Sequence, residues 1–346
     1  MISKFRQRVY LRSLRSFVKN IVKNYYSFTP PLLEDLLSEG SAEFQIEGSV
    51  PAHSFLFSTS SGIYVYSHKD SSIKKLLGGK YYGMARYQDY WIFGRSNNKG
   101  SKSDRVSDIF AVKFEGTDIV YYKVLVKSMP GEIHQIDVFN NRLYLPHTNY
   151  NQVLSFDIDK LFTTSRPRTI LSCSAMIPDI VKPSHLNSVF YDISGSKTYF
   201  VAHNSTAHTG RASDIVVLDN HGNLEIIPTS AHSAHNVFIH KKQLVYCDSN
   251  NCRLVCNDEV VFQCSMLLRG LSATDHLVYV GGSDICFESQ RNTSNSCIYV
   301  LDKNWGRVGK IFLPGIGNLY EIRQLTGLDY AMSSCYFENS IRSCDS

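Results

Sequence analysis

The chain has 346 residues, 43% of them hydrophobic and 12% aromatic, with 21 Tyr and 19 Phe against only 10 Pro and 21 Gly. Such a chain can bury a large core, and its composition excludes collagen-like and disordered classes. Its net charge of +5 is local: Lys4, Arg6, Arg8, Arg12, Arg15, Lys19 and Lys23 place +7 in residues 1–27 with no acid, and subtracting these leaves −2 for the remainder. A basic nucleic-acid-binding body is thereby excluded, and no nucleic acid is expected as a partner.

In chain order, residues 2–27 read as a basic amphipathic helix, with Phe5, Val9, Leu14, Phe17, Val18, Ile21, Val22 and Tyr25 roughly on one face. Three roles fit this pattern: packing on the rim of the following domain, contact with an anionic membrane surface, and a transit peptide. Pro30-Pro31 ends the helix, and residues 32–50 read as a connector. No apolar run is long enough to span a bilayer, and the N-terminus lacks the uninterrupted apolar segment of a secretory signal. The expected location is the cytoplasm, with peripheral membrane contact through residues 2–27. The nine cysteines are then expected as free thiols, including Cys247, Cys252, Cys256 and Cys264, which crowd one short stretch.

From residue 51 the pattern changes to short β-strands. Phe55–Phe57 and Ile63–Tyr66 form a hairpin, and residues 80–126, 132–173, 184–228, 234–265 and 267–313 each read as a group of four strands. The segment Asn318–Met332 supplies two more, which would pair with the leading hairpin over 53–77 to complete a sixth group and close a ring. The fold class is therefore all-β, a six-bladed β-propeller over residues 51–335, preceded by the helix and connector of residues 1–50 and followed by a flexible tail, 336–346.

Three segments align without a gap: His134-Gln-Ile-Asp-Val-Phe, His185-Leu-Asn-Ser-Val-Phe and His235-Asn-Val-Phe-Ile-His. Their histidines lie 51 and 50 residues apart, close to one propeller repeat. Equivalent positions in neighbouring blades would set several imidazoles around one axis. The starts of the innermost strands carry Glu132, His134, His185, Asn187, His235, Asn236, Arg269, Tyr320 and Glu321, and the ends of the second strands carry His147, His203 and Asp248. Both sets, together with the long polar loops 96–107, 203–213 and 283–296, should share one face, where binding tends to sit.

The sharpest reading of this face is a site for a divalent transition metal on His134, His185 and His235, with open coordination positions for substrate. Glu132 and Glu321 would orient an imidazole or act as base, and Arg269 would grip a carboxylate or phosphate; these three are the catalytic candidates. Asn187, Asn236, His147, His203, Asp248 and Tyr320 are the candidates for contacting substrate. Against this stands a simpler possibility, that inner-strand histidines point between blades and satisfy buried backbone groups. No nucleophile elbow, P-loop or dinucleotide fingerprint is present.

The segments His235-Asn-Val-Phe with Leu244-Val-Tyr-Cys-Asp-Ser, Leu267-Leu-Arg-Gly-Leu-Ser, Val278-Tyr-Val-Gly-Gly-Ser and Leu319-Tyr-Glu-Ile resemble a bacterial propeller family of unknown reaction. Its members often occur near glycosyltransferase or sulfotransferase genes. The resemblance covers roughly residues 230–330 and implies a propeller linked to surface-polysaccharide metabolism. It departs from the family's pattern at the N-terminal helix and at Tyr320-Glu321. The functional expectation is a metal-binding propeller acting as a lyase, epimerase or oxygenase on a carbohydrate or other small polar substrate. The alternative is a non-catalytic glycan- or protein-binding propeller in polysaccharide assembly.

Overall fold

The computed structural model describes residues 32–49, 53–97, 105–168, 174–177, 185–325 and 327–334. The helix expected over 2–27, the strand expected over Thr169–Leu171 and the tail from 336 lie outside the described residues.

Six antiparallel sheets surround one axis as the blades of a propeller. In chain order, β1 (Leu37–Ser41) and β2 (Gln45–Gly48) come first, followed by β3 (Phe55–Thr59), β4 (Gly62–Ser67) and β5 (Ser72–Gly78) of blade 1. Blade 2 is β6 (Lys80–Tyr87), β7 (Tyr90–Asn97), β8 (Val106–Glu115) and β9 (Asp118–Pro130). Blade 3 is β10 (Asp137–Phe139), β11 (Arg142–His147), β12 (Gln152–Asp157) and β13 (Ser174–Ile177). Blade 4 is β14 (Leu186–Asp192), β15 (Lys197–Ala202), β16 (Asp214–Asp219) and β17 (Leu224–Pro228). Blade 5 is β18 (Ala234–His240), β19 (Gln243–Asp248), β20 (Arg253–Cys256) and β21 (Glu259–Gln263). Blade 6 is β22 (Leu267–Ala273), β23 (Leu277–Ser283), β24 (Ser296–Asp302) and β25 (Arg307–Leu313), and the last strand, β26 (Leu319–Gln324), returns to blade 1.

Ring closure differs in detail from the expected pairing of two strands with two. β26 alone joins β3 as the innermost strand of blade 1, and the leading segment supplies three strands. The residues read as a connector also form strands. β1 adds to the outer edge of blade 1 through β5, and β2 adds to the outer edge of blade 6 through β25. Both cover backbone edges that would otherwise stand open.

Alternation along the strands fills the gaps between blades. Phe139 of blade 3 stacks on Tyr144 with centroids 3.8 Å apart and on Tyr191 of blade 4 at 4.7 Å, both nearly parallel. Each such pair adds about 0.5–1.5 kcal/mol beyond the area it buries. The six described cysteines are free, and Cys247, Cys252, Cys256 and Cys297 are buried within the apolar packing.

After β26 the chain crosses the far mouth of the central channel instead of forming the second expected strand. Asp329 accepts hydrogen bonds from Ser272 Oγ, Ala273 N and Gln324 N on the ends of the inner strands of blades 6 and 1. Ser333 donates to Asp137 of blade 3 through both its backbone and its hydroxyl, and accepts from Tyr191 N of blade 4. With Asp329 and Ala331–Ser334 buried, this segment closes the far end of the channel.

Candidate functional site

The innermost strands depart from regular pairing at one shared level. The register jumps between Tyr81 and Gly83 in β6, Leu186 and Ser188 in β14, His235 and Val237 in β18, Leu268 and Leu271 in β22, and Leu319 and Glu321 in β26. Each jump is a bulge carrying one extra residue, and bulges re-aim side chains. They free Tyr82, Asn187, Asn236, Arg269 and Tyr320 from the alternation that would send them between blades. Blade 3 reaches the same result by breaking its strand: Ile133 makes an isolated bridge to His147, and β10 begins only at Asp137. His134 and Gln135 thus leave the ladder.

These residues, with Ser188, His235 and Glu321, line a cavity of about 10 Å³ on the axis, room for about one water. Its floor is a cross-channel network. Asn236, in the left-handed region at φ 49°, donates through Nδ2 to Glu321 Oε1 at 2.7 Å and accepts from Gly270 N at 2.8 Å. Glu321 meets Arg323 Nη2 at 2.7 Å, and both are 1% exposed. Burial pushes the Glu321 carboxyl up to about 8, against the opposing pull of Arg323 and Asn236.

Above the floor four imidazoles gather. Ring centroids are 5.7 Å apart for His134 and His185, 6.0 Å for His134 and His235, 4.7 Å for His185 and His203, and 5.2 Å for His203 and His235. His134 stacks on Tyr82 at 4.7 Å, and Tyr82 on Tyr320 at 4.5 Å. Nε2 of His134, Nε2 of His235 and Nδ1 of His203 are buried without a hydrogen-bond partner among the described residues. Burial holds all three rings well below the usual histidine range, with His203 at about 3. Nearby positive charge, Arg269 in each case, pushes the same way, so the rings are neutral at pH 7. His235 Nδ1 lies 2.7 Å from the Ser233 carbonyl, which can only accept, so the ring proton sits there and Nε2 presents a bare lone pair to the cavity.

The rim is charged. Arg105 Nη1 bonds Glu132 at 2.7 Å and its Nη2 bonds Glu288 at 2.5 Å. Tyr82 donates to Glu132 at 3.2 Å, and Lys80 lies 3.7 Å from it. Burial lowers Lys80 to about 8. Arg269 lies over Tyr320 with its guanidinium carbon 5.7 Å from the ring centroid.

Of the expected site residues, the structure brings together His134, His185, His203, His235, Asn187, Asn236, Arg269, Tyr320 and Glu321, with Glu132 on the rim. It does not bring in His147 or Asp248. His147 is fully buried with Nε2 on the Pro130 carbonyl. Asp248 accepts from His232 N and Asn251 Nδ2, organising the turn after β19. Lys80, Arg105, Glu288 and Arg291 were not anticipated, although Arg105, Glu288 and Arg291 come from two of the long polar loops already assigned to this face.

The imidazole donors suit a divalent transition ion in kind. Two features oppose it. Among the described residues no group of three or more His, Cys, Asp or Glu is drawn together closely enough to hold an ion, and the Arg269 charge stands beside the rings.

The class defined by this architecture is a six-bladed β-propeller with an axial channel closed at its far end. No family model matches the chain, and no curated protein matches it in sequence. Among solved structures it is similar to a propeller from a nidogen/laminin complex, at 12% identity and a TM-score of 0.57, over 82% of this chain and 99% of that one. Looser likenesses are to a protein described as a gluconolactonase candidate, with 10% identity, TM-score 0.47 and coverage of 86% and 99%, and to AztD of Citrobacter koseri, with 9% identity, TM-score 0.41 and coverage of 80% and 99%. The first carries the fold alone, and the other two superpose too loosely to support an argument.

Proposed function

We propose that this propeller binds a small hydroxylated ligand of the carbohydrate class over the imidazole cluster. The observation that carries this reading is the set of buried ring nitrogens of neutral His134, His203 and His235, which have no hydrogen-bond partner among the described residues. A buried polar atom without a partner costs about 1–3 kcal/mol, a cost that a ligand can remove. The bare Nε2 of His235 accepts a hydrogen bond from a hydroxyl, and Asn187 is at the same level. The cavity admits about one water, so a ligand body sits above it and extends one group down. Binding is favoured over turnover because both carboxylates are committed: Glu132 to Arg105 and Tyr82, and Glu321 to Asn236 and Arg323.

The test is calorimetric titration of a panel of neutral and acidic mono- and disaccharides into wild type and His235→Gln. At least one sugar should bind, and the variant should lose tenfold or more in affinity with an unchanged unfolding midpoint. No binding by any member at millimolar concentration refutes the reading.

A second reading is a divalent transition metal held by His134, His185 and His235, with ring rotations bringing the donors together. It is favoured by one detail: the Ser233 carbonyl fixes the His235 proton on Nδ1, the arrangement that outer partners of metal-bound imidazoles enforce. Elemental analysis after reconstitution decides it. One equivalent lost in each His→Ala variant supports the metal, and none in wild type rejects it.

A further inference from the structure

We infer that the ligand carries an anionic group, a carboxylate or a phosphate, and that Arg269 receives it. This rests on the reading of the mouth as a ligand site and narrows its ligand to acids.

The first argument is the charge balance of the mouth. Its cations are Lys80, Arg105, Arg269 and Arg291, and its acids are Glu132 and Glu288. Both acids are already engaged by Arg105, and Lys80 stands against Glu132 as well. Glu321 lies deeper, on Arg323. Among the described residues Arg269 has no carboxylate partner, and its Nε is buried without a hydrogen-bond acceptor. Arg291 adds a further charge that acts on both Lys80 and Arg269. With the imidazoles neutral, these groups among the described residues are short of negative charge by two. Arg269 is half-buried, so a counter-ion would offset the partial loss of hydration, and a planar guanidinium matches a carboxylate or phosphate two-pronged.

The second argument is that the backbone is shaped to aim this side chain. The bulge in β22 sets Arg269 and Gly270 against the single residue Gly281. Gly270 sits at φ +79°, and a Cβ there would come within 2.7 Å of Leu319 and 3.2 Å of the Glu321 backbone. A Cβ on Gly281 would lie 2.2 Å from the Arg269 carbonyl. Two glycines therefore allow the close approach that leaves Arg269 over Tyr320 at the mouth.

The ligand then divides its contacts: a hydroxyl to His235 Nε2 and the acid to Arg269.

The experiment is titration of wild type with glucuronate, inorganic phosphate and glucose at pH 7 and low salt, repeated with Arg269→Gln and Arg269→Lys. Glucuronate or phosphate should bind at least tenfold more tightly than glucose, and the stronger of the two names the anion. Arg269→Gln should abolish that preference by weakening the two anions at least tenfold more than glucose, and Arg269→Lys should retain part of it. Wild-type thermal shifts in phosphate or glucuronate against chloride, at equal ionic strength, give a readout that needs no variant. Glucose binding as tightly as both anions, with Arg269→Gln indifferent, overturns the inference and leaves the binding reading standing. Absence of binding by all three probes and by the sugar panel overturns both.

Discussion

The buried Glu321–Arg323 pair makes a sharp prediction because its cost depends on pH in a definite direction. Arg323 is 1% exposed and reaches Glu321 Oε2, the Leu271 carbonyl at 2.6 Å, the Ile322 carbonyl at 2.9 Å and the Met84 carbonyl at 3.3 Å, so it ties blades 1, 2 and 6 across the axis. In Arg323→Met those carbonyls lose a donor and Glu321 loses the charge that restrains its rise. At pH 6 the Glu321 carboxyl, which titrates at about 8, holds its proton in both proteins, and only hydrogen bonds are lost, about 2–3 kcal/mol. At pH 9 wild-type Glu321 is ionised and paired, whereas the variant must bury a bare carboxylate or keep a proton against the solvent. Linkage adds at most about 1.4 kcal/mol between pH 8 and pH 9, so the cost rises to about 3.5–4.5 kcal/mol at pH 9, roughly 5–7 °C in unfolding temperature for a domain of this size. The sign follows from linkage: a carboxyl raised in the folded state holds a proton that the unfolded chain has released, so stability falls as pH climbs from the ordinary carboxyl range toward 8. Arg323→Met should extend that fall above pH 8, and Glu321→Gln should remove it. Urea unfolding at pH 6 and pH 9 of wild type, both single variants and the double variant measures this directly. The reasoning fails if Arg323→Met costs less than 1 kcal/mol, if its cost is the same at both pH values, or if the double variant is no more stable than Arg323→Met at pH 9.

The imidazoles set the acid side. His134, His147, His203 and His235 are all held below their ordinary range, His147 at about 4, so the unfolded chain binds protons that the folded state refuses. Each then removes about 1.4 kcal/mol per pH unit as pH falls below about 6.5. Asp108 and Asp137, each raised to about 6 by burial, oppose this between 6 and the ordinary carboxyl range. Relative to wild type, His235→Gln should therefore gain stability by about that slope between pH 6.5 and 5 in urea titrations, and a constant difference would contradict it. Gly281→Ala drives a methyl into the Arg269 carbonyl and Leu319, both at 2.2 Å. It should cost about 1–3 kcal/mol by chemical denaturation and weaken ligand binding, whereas Gly40→Ala, which meets nothing within 4 Å, should do neither.

The propeller was legible because its code is local. Alternating apolar residues and turn residues recur at one spacing, and the histidine repeat marks the starts of the inner strands of blades 3, 4 and 5, although the bulges at Asn187 and Asn236 offset His185 from His235 by one residue. What the alternation hid is the direction of the functional side chains. By period-2 logic a residue such as Asn236 or Tyr320 belongs in the gap between blades, and a bulge at a single position reverses that. Bulges leave a faint trace in sequence, here Gly83 after Tyr82 and Gly270 after Arg269, because they are set by pairing with a neighbouring strand. His147 and Asp248 share the level of the site along the chain, but both turn to local partners, the Pro130 carbonyl and the groups of the turn after β19, whereas His203, just past the end of β15, turns into the cluster. Lys80, Arg105, Glu288 and Arg291 were missed for a different reason: they meet over blade 1, contributed by blades 2 and 6, which closure makes neighbours although their loops are almost two hundred residues apart.

Closure of the far mouth gives the site its character. A propeller channel open at both ends is a wet passage in which imidazoles would be hydrated and free to protonate. Here Asp329 and Ser333 pin the chain across the far end, on blades 6 and 1 at one side and blades 3 and 4 at the other. The cavity on the axis is narrow enough to exclude all but about one water. Desolvation, the leading cause of every shift in the cluster, comes from the rings packed on one another and on Tyr82, above a channel whose far end is closed. The rings are neutral and adjacent to an unneutralised arginine, and that combination is satisfied by a ligand that brings both a hydroxyl and a negative charge.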